Sequence, residues 1–168
     1  MRNGLTGRIS RVAILAVLIL GTTCAPSGPI IKVEPSVSSL QVNNTALVPV
    51  KVENIANLIA FEAHLSFDPN VLEVIQLNNG DFITADFIVQ NTFDNTAGTI
   101  DYAVAQINRP PANGNGVLFE IVFRAKAHGQ SPIRFRETQA APAGVLLSNP
   151  NGTAIQVSLI IGSVSVSE

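Results

Sequence analysis

The side chains able to do chemistry in this chain are few and scattered. His64 and His128, the two histidines, lie far apart in sequence. No Gly-x-Ser-x-Gly elbow raises a serine for nucleophilic attack, and neither His-Glu-x-x-His nor a cysteine cluster offers a metal-binding set. His128 sits in Ala127-His128-Gly129-Gln130, a turn sequence in which the imidazole is expected to be solvated. Asp81, Asp86, Asp94 and Asp101 fall in separate segments, so the closely spaced oxygen ligands of a calcium loop are missing. The expectation is a protein that is not an enzyme, with no catalytic residue, no cofactor and no metal of its own.

Composition bounds the partners. The chain has 168 residues, enough for one domain, and with 46% hydrophobic and only 13% charged residues it can build a core. A formal net charge of −2 gives no long-range attraction for phosphates, so nucleic acid is excluded as an expected partner.

Residues 1–24 differ from everything that follows. Arg2, Arg8 and Arg11 precede the apolar run 12–20, after which come Gly21, Thr22, Thr23 and Cys24. This is the charged, apolar, small-residue order of an export signal, and the run is shorter than the ~20 residues of a membrane-spanning helix. Cys24 is the single cysteine, which rules out an intrachain disulfide. A signal ending at a lone Cys resembles that of bacterial lipoproteins, in which the Cys is acylated. Here Leu20 lies four positions before Cys24 and Thr23 directly before it, where the usual pattern has Leu three before and Gly, Ala or Ser directly before. Two outcomes fit: a lipid anchor at Cys24, the protein's one link to a membrane, or cleavage and secretion. Residues 25–29 form a short linker that, at ~3.3 Å per residue, spans about 17 Å.

From residue 30 onward the pattern is that of strands. Segment 46–53 places Ala46, Val48, Val50 and Val52 on one face. Segment 58–67 turns Phe61, Ala63, Leu65 and Phe67 inward and Ala60, Glu62, His64 and Ser66 outward. Segment 117–126 buries Val117, Phe119, Ile121, Phe123 and Ala125, and segment 131–137 turns Ile133 and Phe135 inward with Arg134 and Arg136 outward. Pro49 requires an edge or a bulge. In 155–166 the apolar parity switches, which a bulge at Gly162 would accommodate. With segments 31–34, 71–77, 87–90 and 99–105, about nine strands separated by Asn, Gly and Pro clusters predict an all-β sandwich occupying residues 30–168.

Phe67-Asp68-Pro69-Asn70-Val71-Leu72-Glu73 resembles the strand–turn–strand signature of cohesin domains. Pro69 fixes its own φ and biases Asp68 away from the helical region, while the Asp68 side chain is suited to accept backbone donors of the turn. Asn79-Gly80-Asp81-Phe82, Gly98-Thr99-Ile100, Gly116-Val117-Leu118-Phe119-Glu120-Ile121 and Gly162-Ser163-Val164-Ser165-Val166 are similar to later corners and strands of that family, in order. The resemblance implies a nine-stranded jelly-roll β-sandwich, like that of carbohydrate-binding modules, which docks a dockerin-containing protein whose calcium arrives with the partner. Such a partner would carry a polysaccharide-degrading enzyme.

In the family, dockerins lie on one open sheet, partly on an outward Asn and Asp of the third strand. Those positions are Ala60 and Glu62 here: the Asn is absent, and Glu62 keeps the carboxylate with one methylene more. His64 follows on the same outward row. Asp101 on the sixth strand and Arg134 and Arg136 on the eighth are expected to line the same sheet. Phe93, placed in the loop after the fifth strand, is either an apolar anchor for the partner or a cap on the core. Two other functions stand beside docking. Direct binding of polysaccharide needs exposed stacking rings, and the chain has no Trp and only Tyr102, whose parity points inward. The other is a structural or adhesive surface module with no dockerin partner.

Overall fold

The computed structural model describes residues 28–35 and 38–168, so the expected export signal and Cys24 lie outside the described residues. Twelve strands run in chain order among them: β1 (Ile30–Val33), β2 (Ser38–Gln41), β3 (Thr45–Leu58), β4 (Ala60–Ser66), β5 (Leu72–Asn79), β6 (Phe87–Asp94), β7 (Thr99–Ala105), β8 (Ala112–Ala125), β9 (Gly129–Phe135), β10 (Val145–Ser148), β11 (Ser158–Ile160) and β12 (Gly162–Ser167). They form two sheets. The first has the order β11-β1-β3-β8-β5; the second has β2-β12-β9-β4-β7-β6, with β10 also paired to β4. Pairing is antiparallel except for β1 with β11 and β2 with β12, which run parallel.

Alternation builds the core between the sheets. Val48, Val50 and Val52 of β3 and Phe119, Ile121, Phe123 and Ala125 of β8 meet Phe61, Ala63 and Leu65 of β4 and Ile100, Tyr102 and Val104 of β7; all are buried. Tyr102 stacks on Phe119 across the layers with ring centroids 4.6 Å apart, and Phe61 lies 6.0 Å from Tyr102. Such pairs contribute about 0.5–1.5 kcal/mol each beyond the area they bury. Burial in turn pushes the Tyr102 phenol up from its ordinary value.

Bulges decide where parity breaks. Val50 is registered with Phe119 but Lys51 with Val117, which leaves Leu118 as the extra residue. Leu118 is buried in consequence and Val117, expected inward, is half-buried. Pro49 lies in a strand with neighbours on both sides, but the β1 ladder ends at Val33 opposite Val50, so no donor is asked of Pro49. At Gly162 the chain does more than bulge: β11 belongs to the first sheet and β12 to the second. A Cβ on Gly162 would stand 2.5 Å from Val33 Cγ1, which explains why the crossing is made at glycine. This split, together with the four-residue strands β2 and β10, accounts for the difference between nine expected strands and twelve.

The Asp68-Pro69 corner is held as its residues require. Asp68 Oδ1 accepts from Asn70 N at 2.9 Å, Asp68 O accepts from Val71 N and Leu72 N, and Ser131 Oγ of β9 accepts from Asp68 N at 2.8 Å. Gly98, directly before β7, packs against it: Phe67 N donates to Gly98 O at 2.9 Å. Two of the motifs separated in sequence therefore meet as one structural joint, at the lower end of β4.

Candidate docking face

Residues directly opposite in a ladder share a face, so register maps the outer surface of the second sheet. One row runs Phe87, Ala105, Ala60, Ser148 across β6, β7, β4 and β10. The next runs Gln90, Ala103, Glu62, Leu146; the third Thr92, Asp101, His64; the fourth Asp94, Thr99, Ser66, Arg134. Four strands at ~4.8 Å spacing give a face about 14 Å wide, sufficient for one helix of 10–12 Å diameter.

The face has two chemical halves. At the upper end three alanines form a low floor between Phe87, 56% exposed, and Leu146, 38% exposed. A bidentate pair braces the loops beside it: Asp86 Oδ2 accepts from Arg109 Nε at 2.7 Å, Oδ1 accepts from Arg109 Nη2 at 3.0 Å, and Ile107 N donates to the same carboxylate. Arg109 first, and the Ile107 amide second, hold the Asp86 carboxyl below the usual carboxylate range. Further down lies a connected polar cluster. His64 Nδ1 is 2.5 Å from Asp101 Oδ1, His64 Nε2 is 2.6 Å from Glu62 Oε1, and Arg136 Nη2 donates to the same Asp101 oxygen at 2.5 Å. Arg136 reaches it because the chain leaving β9 binds the edge of β4: Arg136 N donates to His64 O, and His64 N donates to Gly144 O.

Thus the structure brings together Glu62, His64, Asp101 and Arg136. Arg134 shares their face in the row below, exposed and opposite Ser66. His64 points outward, as its parity requires, yet is only 5% exposed, because the two carboxylates enclose its ring. Its ring nitrogens point to opposite sides, and among the described residues no group of three His, Cys, Asp or Glu side chains is placed to hold a metal ion. Phe93 stands apart. It belongs to β6 rather than to a loop, and it is registered opposite buried Ile100, which puts it on the inner side of the sheet at its edge, 39% exposed.

Sequence reasoning missed Phe87 and Leu146. A bulge between Ile88 and Gln90 and exposure on both sides erase the alternation of β6, so no face could be assigned to Phe87. Leu146 lies on β10, a strand too short to show a period. The signal that finds both is pairing: Phe87 opposite Ala105 and Leu146 opposite Glu62.

Known proteins with this arrangement are consistent in kind. A type II cohesin domain from the cellulosome of Acetivibrio cellulolyticus superposes with a TM-score of 0.71 at 19% identity, covering 82% of this chain and 95% of that one. The non-cellulosomal cohesin of the archaeon Archaeoglobus fulgidus gives 0.65 at 21% identity, covering 84% and 92%. The cohesin of a type I cohesin–dockerin complex from Clostridium thermocellum gives 0.70 at 17% identity, covering 83% and 99%. In sequence, cell surface glycoprotein 1 of Acetivibrio thermocellus is 26% identical over 130 residues, a match to 64% of this chain but to 6% of that much longer protein. The sequence model of the cohesin domain matches residues 31–161, and the chain belongs to the cohesin domain family.

Proposed function

We propose that this protein is a non-catalytic docking module, exported and held at or released from the cell surface, whose outer face on β6, β7, β4, β10 and β9 receives a dockerin-bearing protein that brings its own calcium. The observation that carries this reading is the open outer face of the second sheet, an apolar floor beside a polar cluster. Its width matches one helix, and its exposed apolar groups, Phe87 and Leu146, flank the central strands where a helix would lie. Apolar contact would supply most of the affinity, and Glu62, Asp101, Arg134 and Arg136 would set orientation and association rate. Sugar stacking is disfavoured by a specific observation: the exposed aromatic rings, Phe87 and Phe93, face opposite sides of the sheet, and Tyr102 is fully buried. An export signal ending at Cys24 would place the module outside the cell, lipid-anchored or free.

The test is capture of dockerin proteins on the immobilised domain, in calcium and then in chelator, comparing the wild type with Ala60→Arg. The substitution puts a long charged side chain in the middle of the floor, and at least a hundredfold loss of affinity is expected, about 3 kcal/mol. Retention of polysaccharide instead, or binding that Ala60→Arg leaves unchanged, overturns the assignment.

A further inference from the structure

We infer that His64 is a positioning residue whose ring proton latches Glu62 into the docking face, so that docking is coupled to the protonation of this ring. The inference deepens the docking reading and rests on it for its consequence, though not for its chemistry.

An ionised carboxylate only accepts hydrogen bonds, and a neutral imidazole carries one N–H. Here both ring nitrogens face carboxylate oxygens, at 2.5 and 2.6 Å, so the arrangement is satisfied only by a ring with both protons. With the ring enclosed, a nitrogen that loses its proton has no water to turn to; its lone pair is left facing an oxygen. The charged groups around the ring come from three places: Glu62 on β4, Asp101 on β7, and Arg136 just past β9, with Arg134 one row below. The outward residues beside it on β6, Gln90 and Thr92, and on β10, Leu146, carry no charge.

The two carboxylates are not equivalent. Asp101 keeps Arg136 when the ring is neutral. Glu62 has the ring alone among the described residues. Asp101 is pinned by Arg136 and cannot turn from a bare ring nitrogen, whereas Glu62, held by the ring alone, is free to turn into solvent; loss of the proton from Nε2 is thus the one the cluster relaxes around, and it frees Glu62, in the row between Ala103 and Leu146. With the ring charged, two cations balance two carboxylates; with the ring neutral, the cluster carries one excess negative charge, free to extend over the apolar floor. A partner that packs apolar groups there must then desolvate it.

Two measurements test the latch. Nitrogen NMR of the protein alone, with exposed His128 as internal reference, should show both ring nitrogens of His64 protonated at low pH, and the proton should leave Nε2 first as pH rises. The Glu62 carboxyl carbon should respond at the same midpoint. Loss from Nδ1 first, or an unresponsive Glu62, overturns the latch whether or not any partner binds. Calorimetric titration with a calcium-loaded dockerin protein across the same pH range should show affinity falling about tenfold as the ring loses its proton. The pH profile of Glu62→Gln should be flat, whatever its absolute affinity, because an amide meets either form of the ring. Equal slopes in the two proteins, or a flat wild-type profile, refute the coupling. Absence of binding at any pH defeats the docking reading, and the ring measurement alone then decides the latch.

Discussion

Gly98 offers the sharpest test of how the Asp-Pro corner is held. Its φ of +68° lies in the left-handed region, and a Cβ added there would stand 2.3 Å from Phe67 O and 2.8 Å from Pro69 Cδ. Gly152 is a matched control, with a φ of +74° and no atom within 4 Å of the same position. Substituting alanine at either site costs the conformational term, roughly 1–2 kcal/mol, and the loss of unfolded-state freedom is the same for both. Only Gly98→Ala adds a collision, and with a backbone oxygen and a proline ring that no rotamer change can move aside. Overpacking of this kind costs about 1–3 kcal/mol. For a domain of this size that corresponds to a midpoint about 3–10 °C below that of Gly152→Ala. Urea and thermal unfolding followed by far-ultraviolet circular dichroism measure both variants. If the two lose stability equally, Gly98 does not pack on the corner, and the joint between the two motifs is wrong.

Titration supplies two further predictions. Burial raises the Tyr102 phenol, so its contribution to stability is complete below the unfolded value of about 10 and is lost as pH rises through the folded value. Since Tyr102 is the only tyrosine, the tyrosinate absorption band should grow only together with loss of the β-sheet signal; a band that completes near pH 10 with the sheet signal intact contradicts the burial. At the acid end, Ala97 N first and Thr96 N second donate to Asp94 and hold its carboxyl below the usual range. That contribution is present above the unfolded value and lost as pH falls through the folded one, so the thermal midpoint should drop below about pH 4. Asp94→Asn should show a shallower acid limb, because its amide oxygen still accepts and does not titrate; an identical limb assigns the acid sensitivity elsewhere.

How much of this was legible in the sequence depends on whether a residue's position is set by its own strand or by its neighbours. The faces of β4 and β7 follow from alternation alone, and Phe61, Leu65, Ile100 and Tyr102 are buried as that alternation requires. The Asp68 turn is equally local, since its donors are the next few amides. Where a bulge intervenes, parity fails by one residue: Val117 gives up its core place to Leu118, and Phe87 and Phe93, on the two sides of the β6 bulge, face opposite ways. In β8 and β6 the bulge is set by what the partner strand needs, and alternation along the strand itself does not locate it.

The docking face shows the same division at the level of the site. Glu62, His64, Asp101 and Arg136 could each be read as outward, but an outward histidine is ordinarily a wet one. That His64 is enclosed depends on Asp101 standing directly across from it in the β4–β7 ladder and on Arg136 arriving from the chain beyond β9. These contacts span 37 and 35 residues of sequence, and only register creates them. The same register puts Ala60, in place of a polar residue, beside Ala105 and between Phe87 and Ser148, which turns an apparent loss of a contact into the floor of an apolar shelf. On the docking reading proposed above, Ala60 is then part of the site rather than a gap in it: shape and burial would act at one end of the face, and the charged cluster at the other.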